Sequence, residues 1–135
     1  MELSDLIEKI GQQLMQIKFA ELEKIQYANV NLSLYQYIYA IGELDNPVFS
    51  DLADKLNLSK PAITASVNKL IQQGIVKKQQ SNEDKRLFYL SLTPKGMEVF
   101  NICKKANKKV EEQIKYKLTK NEWDELINIL TKIVQ

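Results

Sequence analysis

The sequence has no histidine and a single cysteine, Cys103, among 135 residues. The first absence removes the commonest metal ligand and the commonest acid–base catalyst near neutral pH. The second rules out a disulfide within the chain and fits a reducing compartment. Glycine is scarce. Gly11, Gly42, Gly74 and Gly96 are scattered, so no glycine-rich loop is available to cradle a phosphate. No apolar run nears the length that crosses a bilayer. The opening stretch, MELSDLIEKI, carries acidic residues where a secretion signal needs positive charge. The expectation is a cytoplasmic protein that is not an enzyme, with no metal, no cofactor and no membrane partner.

The length suits one domain, and 44% hydrophobic with 27% charged residues is ordinary for a globular chain. The net charge of +2 is small, but it is unevenly spread. From Ser59 to Arg86 the basic residues are Lys60, Lys69, Lys77, Lys78, Lys85 and Arg86, against Glu83 and Asp84. The preceding stretch sets Glu43, Asp45, Asp51 and Asp54 against Lys55. A basic segment on a weakly charged protein is suited to a polyanion. Charge alone fits a solvated lysine-rich surface equally well.

Apolar spacing predicts mostly helices. Leu3, Leu6, Ile7, Ile10, Leu14, Ile17, Leu22 and Ile25 mark a long first helix with Ser4 as cap, broken at Asn29–Asn31. Ser33 and Gln36 read as a capping box for a second helix, stapled by Leu32 on Tyr37 and apolar almost all round. Asp45-Asn46-Pro47 ends it. A short helix follows over 49–57, with Leu52, Ala53 and Leu56 inward and no clear cap. After the Asn57-Leu58 turn, Ser59 caps another short helix with Pro61 in its first turn and Gly74 at its C-terminal end. The period then changes. Ile75–Gln80 and Arg86–Leu92 read as strands around the turn-rich Ser81–Lys85. Thr93-Pro94 opens a long helix to about Leu118, and a capping box of Thr119 with Glu122 opens the last one.

A short helix pair followed at once by a hairpin with a basic loop is a winged helix-turn-helix. The fold class is mainly α, with α+β character from the hairpin. A helix fits the major groove and reads base edges there, braced by the helix before it. The helix from Lys60 to Gln73 divides accordingly. Ile63, Val67 and Leu70 face inward. Lys60, Pro61, Thr64, Ala65, Asn68, Lys69 and Gln72 face out, with no acidic member. Such a face approaches DNA closely, although a plain solvent face has the same periodicity.

The order of short patterns resembles the multiple-antibiotic-resistance regulator (MarR) family. The pieces are Leu32-Ser33-Leu34-Tyr35-Gln36, the run from Asp51 to Ser59, the run from Val67 to Val76, Asp84-Lys85-Arg86, and Leu92-Thr93-Pro94-Lys95-Gly96. The resemblance implies a homodimer in which residues 1–31 and 94–135 form the dimerisation platform and 32–93 the DNA-binding part. It implies a ligand-responsive repressor on a pseudo-palindromic double-stranded operator. The expected DNA-binding residues are Ser59, Lys60, Pro61, Thr64, Ala65, Asn68, Lys69, Lys85 and Arg86, with Asp84 holding the wing. A small aromatic effector is implied, in a pocket from Met15, Phe19, Tyr35, Tyr39 and Phe100, although at helical spacing these residues also suit a plain core. Cys103, mid-helix on an apolar stripe, reads as an inert core thiol. The alternative function is a winged-helix module for protein interaction or RNA binding that recognises no operator.

Overall fold

The computed structural model describes residues 1–24 and 34–135. The described elements, in chain order, are α1 (Leu3–Leu22), α2 (Tyr35–Glu43), α3 (Phe49–Leu56), α4 (Lys60–Gln72), β1 (Val76–Gln80), β2 (Phe88–Leu92), α5 (Pro94–Lys117) and α6 (Lys120–Val134). The expected break at Asn29–Asn31, the Leu32 staple and the Ser33 half of the capping box lie outside the described residues.

The chain divides into two compact units, Leu22–Cys103 and Met1–Glu21 with Lys104–Gln135. The first holds the winged fold. Its core gathers Tyr37, Ile38 and Ile41 of α2, Leu52 of α3, Ile63, Val67 and Leu70 of α4, Ile75 and Val76, Leu90 of β2, and Val99 and Phe100 of α5. Side chains of this size stabilise by about 1.5–3 kcal/mol each when fully buried. Phe100 lies against Gly42, where a Cβ would stand 2.5 Å from the ring, so only glycine admits the aromatic there. The strands pair antiparallel with Val76 opposite Leu92 and Gln80 opposite Phe88. Phe88, Leu90 and Leu92 share one face, as the period of two requires. The Leu90 N–H donates to the Pro47 carbonyl at 2.8 Å, so the segment before α3 flanks the sheet.

In the second unit, Glu21 is 4% exposed and its carboxylate meets the ammonium groups of Lys105 and Lys109 on α5. Burial is tolerated because two cations compensate the charge. The Thr119–Glu122 box forms as expected: Thr119 Oγ1 accepts the Glu122 N–H at 3.2 Å and Glu122 Oε1 accepts the Thr119 N–H at 2.9 Å. The α1 cap differs from expectation. The helix starts at Leu3, ahead of Ser4, and Asp5 Oδ2 accepts the Glu2 N–H at 3.3 Å. A carboxylate also complements the positive end of the helix better than a hydroxyl.

Candidate nucleic-acid interface

The helix pair is set by two local devices. The side chain of Asp51 accepts the Val48 N–H at 2.9 Å and opens α3. At its end Asn57 takes a left-handed conformation (φ 52°), which asparagine tolerates, and the Leu58 N–H reaches the Ala53 carbonyl at 3.2 Å. That turn delivers Ser59 in extended geometry. Its Oγ accepts the Ala62 N–H at 3.3 Å and α4 begins. Pro61 falls in the first turn, where a missing N–H costs nothing.

Ile63, Val67 and Leu70 are 0% exposed and fix the roll of α4 about its axis. Lys60, Pro61, Thr64, Ala65, Asn68, Lys69 and Gln72 are consequently all exposed, as is Ser59. The outward face presents two ammonium groups, a hydroxyl, two carboxamides and small side chains. It holds no carboxylate. Ser66 and Ala62 border it, half-buried.

The wing is organised by a residue that the patterning did not single out. Ser81 is 5% exposed, and its Oγ lies 3.2 Å from the N–H groups of both Glu83 and Asp84, which it accepts. Gln80 Nε2 donates to the Lys85 carbonyl at 2.8 Å and ties the far side of the loop. The clue available beforehand is the type of residue: serine at a loop start caps the amides that follow. Asp84 and Arg86 come together as expected. The guanidinium forks onto the carboxylate, Nε to Oδ1 and Nη2 to Oδ2, each at 3.1 Å, and Asp84 Oδ1 also accepts the Arg86 N–H at 3.0 Å. Arg86 holds the Asp84 carboxyl below its ordinary range, and Asp84 holds the guanidinium above its own. An exposed pair contributes little to stability. Its effect is to aim Arg86. Lys85 is exposed beside it.

The residues expected to line an effector pocket fall in both units. In the winged unit Tyr35 is buried, Tyr39 is half-buried, and the Tyr39 and Phe100 rings meet at 5.5 Å with a 46° tilt. Met15 and Phe19 belong to the other unit, on a face of α1 that with Ile7, Gly11, Gln12 and Gln16 bounds an open depression of about 560 Å³. Cys103 is buried at 2% exposure, in the apolar surroundings its spacing implied. No helix among the described residues is long and apolar enough to cross a membrane.

A reading helix braced by its predecessor and followed by an ordered basic wing defines the class of winged helix-turn-helix proteins. The family model described as MarR family matches residues 30–88. The HTH-type transcriptional regulator BilQ of Clostridioides difficile (strain CD3) is 31% identical over 97 residues, 72% of this chain and 66% of that protein. Residues 30–88 are thus the part of the chain that matches the MarR family. The chain spans somewhat under two-thirds of that relative's length. Among solved structures, Streptococcus pneumoniae FabT in complex with DNA superposes with a TM-score of 0.86 at 22% identity, covering 98% of this chain and 93% of that one. Staphylococcus aureus MarR in complex with salicylate and kanamycin gives 0.75 at 22% identity, covering 96% and 85%. At these identities the two structures speak for the fold.

Proposed function

We propose that this chain is a sequence-specific double-stranded DNA-binding transcriptional regulator, a ligand-responsive repressor that works in the cytoplasm as a homodimer on a pseudo-palindromic operator. The observation that carries this reading is the acid-free, exposed face of α4 beside a wing whose arginine is held in place by Asp84. Thr64 and Asn68 contact base edges, because base contacts specify while phosphate contacts position. Ser59, Lys60, Pro61, Ala65, Lys69 and Lys85 lie against the backbone, and Arg86 enters the minor groove, where a narrow groove attracts it. Residues 1–31 and 94–135 form the dimer platform. The solved complex of FabT with DNA and the regulator name of BilQ support the same reading.

The effector is a small aromatic compound that contacts the Tyr39–Phe100 pair of the winged unit, with Tyr35 on the same helix as Tyr39. The salicylate complex of the S. aureus protein supports this choice. Such a ligand acts by preferring a dimer whose reading helices are wrongly spaced, and it weakens DNA by the same factor by which DNA weakens it.

The test begins with selection of duplexes from a random pool, then footprinting of the winner. Two half-sites about one helical turn apart, roughly 10–10.5 bp, are expected. Binding by monomer alone, or a preference for single strands, sinks the proposal. Salicylate titrated into the operator complex is expected to release DNA, and Tyr39→Ala to blunt that release.

A further inference from the structure

The C-terminal end of α4 is held from outside by the first residues of α5. Its last turn closes on itself through amides: the Gln73 N–H donates to Lys69, Gly74 to Ile71 and Ile75 to Leu70, at 2.9–3.0 Å, with Gly74 in the left-handed region at φ 72°. Three successive carbonyls then leave the helix, those of Gln73, Gly74 and Ile75. All three are met by the Thr93–Gly96 segment. The Lys95 ammonium donates to the Gln73 carbonyl at 2.9 Å. The Thr93 hydroxyl lies 2.5 Å from the Gly74 carbonyl and 3.2 Å from that of Ile75. The Thr93 N–H donates to the Ile75 carbonyl at 3.0 Å. The same hydroxyl accepts the Gly96 N–H at 3.1 Å, so one side chain caps α5 and grips the exit of α4.

Gly96 sets how close the two segments come. A Cβ there would stand 2.1 Å from the Ile75 carbonyl oxygen, so any other residue drives α5 off that carbonyl. Lys95 adds a cation at the negative end of α4.

We propose that Thr93, Lys95 and Gly96 form a latch that fixes the orientation of the reading helix, with Thr93 and Lys95 as positioning residues for sequence recognition. This rests on the DNA-binding reading above. Base contacts tolerate displacements of only about 0.5 Å, whereas contacts to a uniform phosphate backbone tolerate more. A loosened latch therefore costs discrimination before it costs affinity for DNA in general.

The experiment compares the full chain with Lys95→Met, which keeps the aliphatic stem, and with Lys95→Arg, which keeps the cation. Anisotropy with the selected operator and a scrambled duplex is read over a salt series, and amide exchange is followed at Gly74 and Ile75. Lys95→Met is expected to weaken the operator roughly tenfold, the scale of one hydrogen bond to a charged group, and the scrambled duplex less than about twofold. The salt slope stays unchanged, exchange at Gly74 and Ile75 quickens, and Lys95→Arg restores the wild-type ratio. Equal weakening of both duplexes with a shallower salt slope identifies Lys95 as a phosphate contact and overturns the latch. An unchanged exchange rate overturns it as well. If the wild-type chain discriminates no duplex, the DNA-binding reading has failed, and the exchange arm still decides whether Lys95 holds α4.

Discussion

Between Leu22 and Cys103 the large side chains face one another, and Ile38, Leu52, Ile63, Val67, Leu70, Ile75, Leu90 and Val99 are each 0% exposed. In Met1–Glu21 with Lys104–Gln135 they face outward: Leu3 is 70% exposed, Ile7 61%, Ile133 69% and Val134 81%, and α6 buries none of its residues. Both regions have amphipathic helices with sound caps, so the contrast is one of packing and not of local propensity. The winged unit closes its core with α2, α3, α4, the hairpin and the start of α5. In the other unit α1, the rest of α5 and α6 leave apolar side chains uncovered. Exposed apolar stripes of this kind mark association surfaces. The first region is expected to fold within one chain, and the second to reach its stable form against a second copy.

The largest expected effect breaks that second surface. Leu130→Glu with Ile133→Glu places two carboxylates on the exposed stripe of α6. Sedimentation is expected to show a dimer for the parent chain and a monomer for the variant. Operator affinity falls by about 10²–10⁴, the usual advantage of tethering two binding modules. A dimer that survives these charges refutes the contrast. The matching change in the first region is Leu70→Ala. It is expected to cost about 2–5 kcal/mol in urea unfolding, the range for truncating a buried leucine, with the α6 stripe left untouched. If Leu70→Ala costs less than a typical surface substitution, the core of the winged unit is not what holds α4.

In both regions, what is legible in the sequence depends on how far apart the partners lie along the chain. Devices made of neighbouring residues were readable: the Thr119–Glu122 box, Ser59 and Pro61 at the start of α4, Gly74 at its end, and the inward set Ile63, Val67 and Leu70. Each depends on residue types at fixed short offsets. The latch was not readable, because Thr93 and Lys95 meet bare carbonyls 19 and 22 residues away, and every residue type carries the same carbonyl. The Asp51 cap leaves no mark in the sequence, because its N-cap residue is Val48, which offers no polar signal. The spacing predicts the second strand from Arg86, two residues early, for a similar reason. Arg86 gives its N–H to the Asp84 side chain and Leu87 gives its own to the Asp84 carbonyl, so the ladder starts at Phe88.

A smaller effect sharpens the division of labour within the first region. Asn68→Ala is expected to narrow the gap between operator and random DNA by about 1–3 kcal/mol, the worth of a good bidentate base contact. Lys85→Ala is expected to weaken both duplexes alike and to flatten the salt slope by about one phosphate's worth. Competition assays at several salt concentrations separate the two. Identical loss of discrimination in both variants contradicts the assignment of reader and wing.

The smallest effect probes how tightly the first region excludes water around Tyr35, which is 5% exposed. Burial, with the nearby Cys103 thiol adding to it, pushes the Tyr35 phenol well above its ordinary value of 10.0. Well below that value the phenol is neutral in both states and burial carries no penalty of ionisation. Once the pH passes it, unfolded chains lose the proton while the folded chain keeps it. The folded state then binds more protons, so stability declines as pH rises, by up to about 1.4 kcal/mol per pH unit for this one group. Tyr35→Phe removes that decline. Urea midpoints at about pH 9 and about pH 11 are expected to fall less for the phenylalanine variant than for the parent. Parallel falls would mean that the phenol ionises as readily in the fold as in the open chain, and the closed packing assigned to α2 and Cys103 would have to be abandoned.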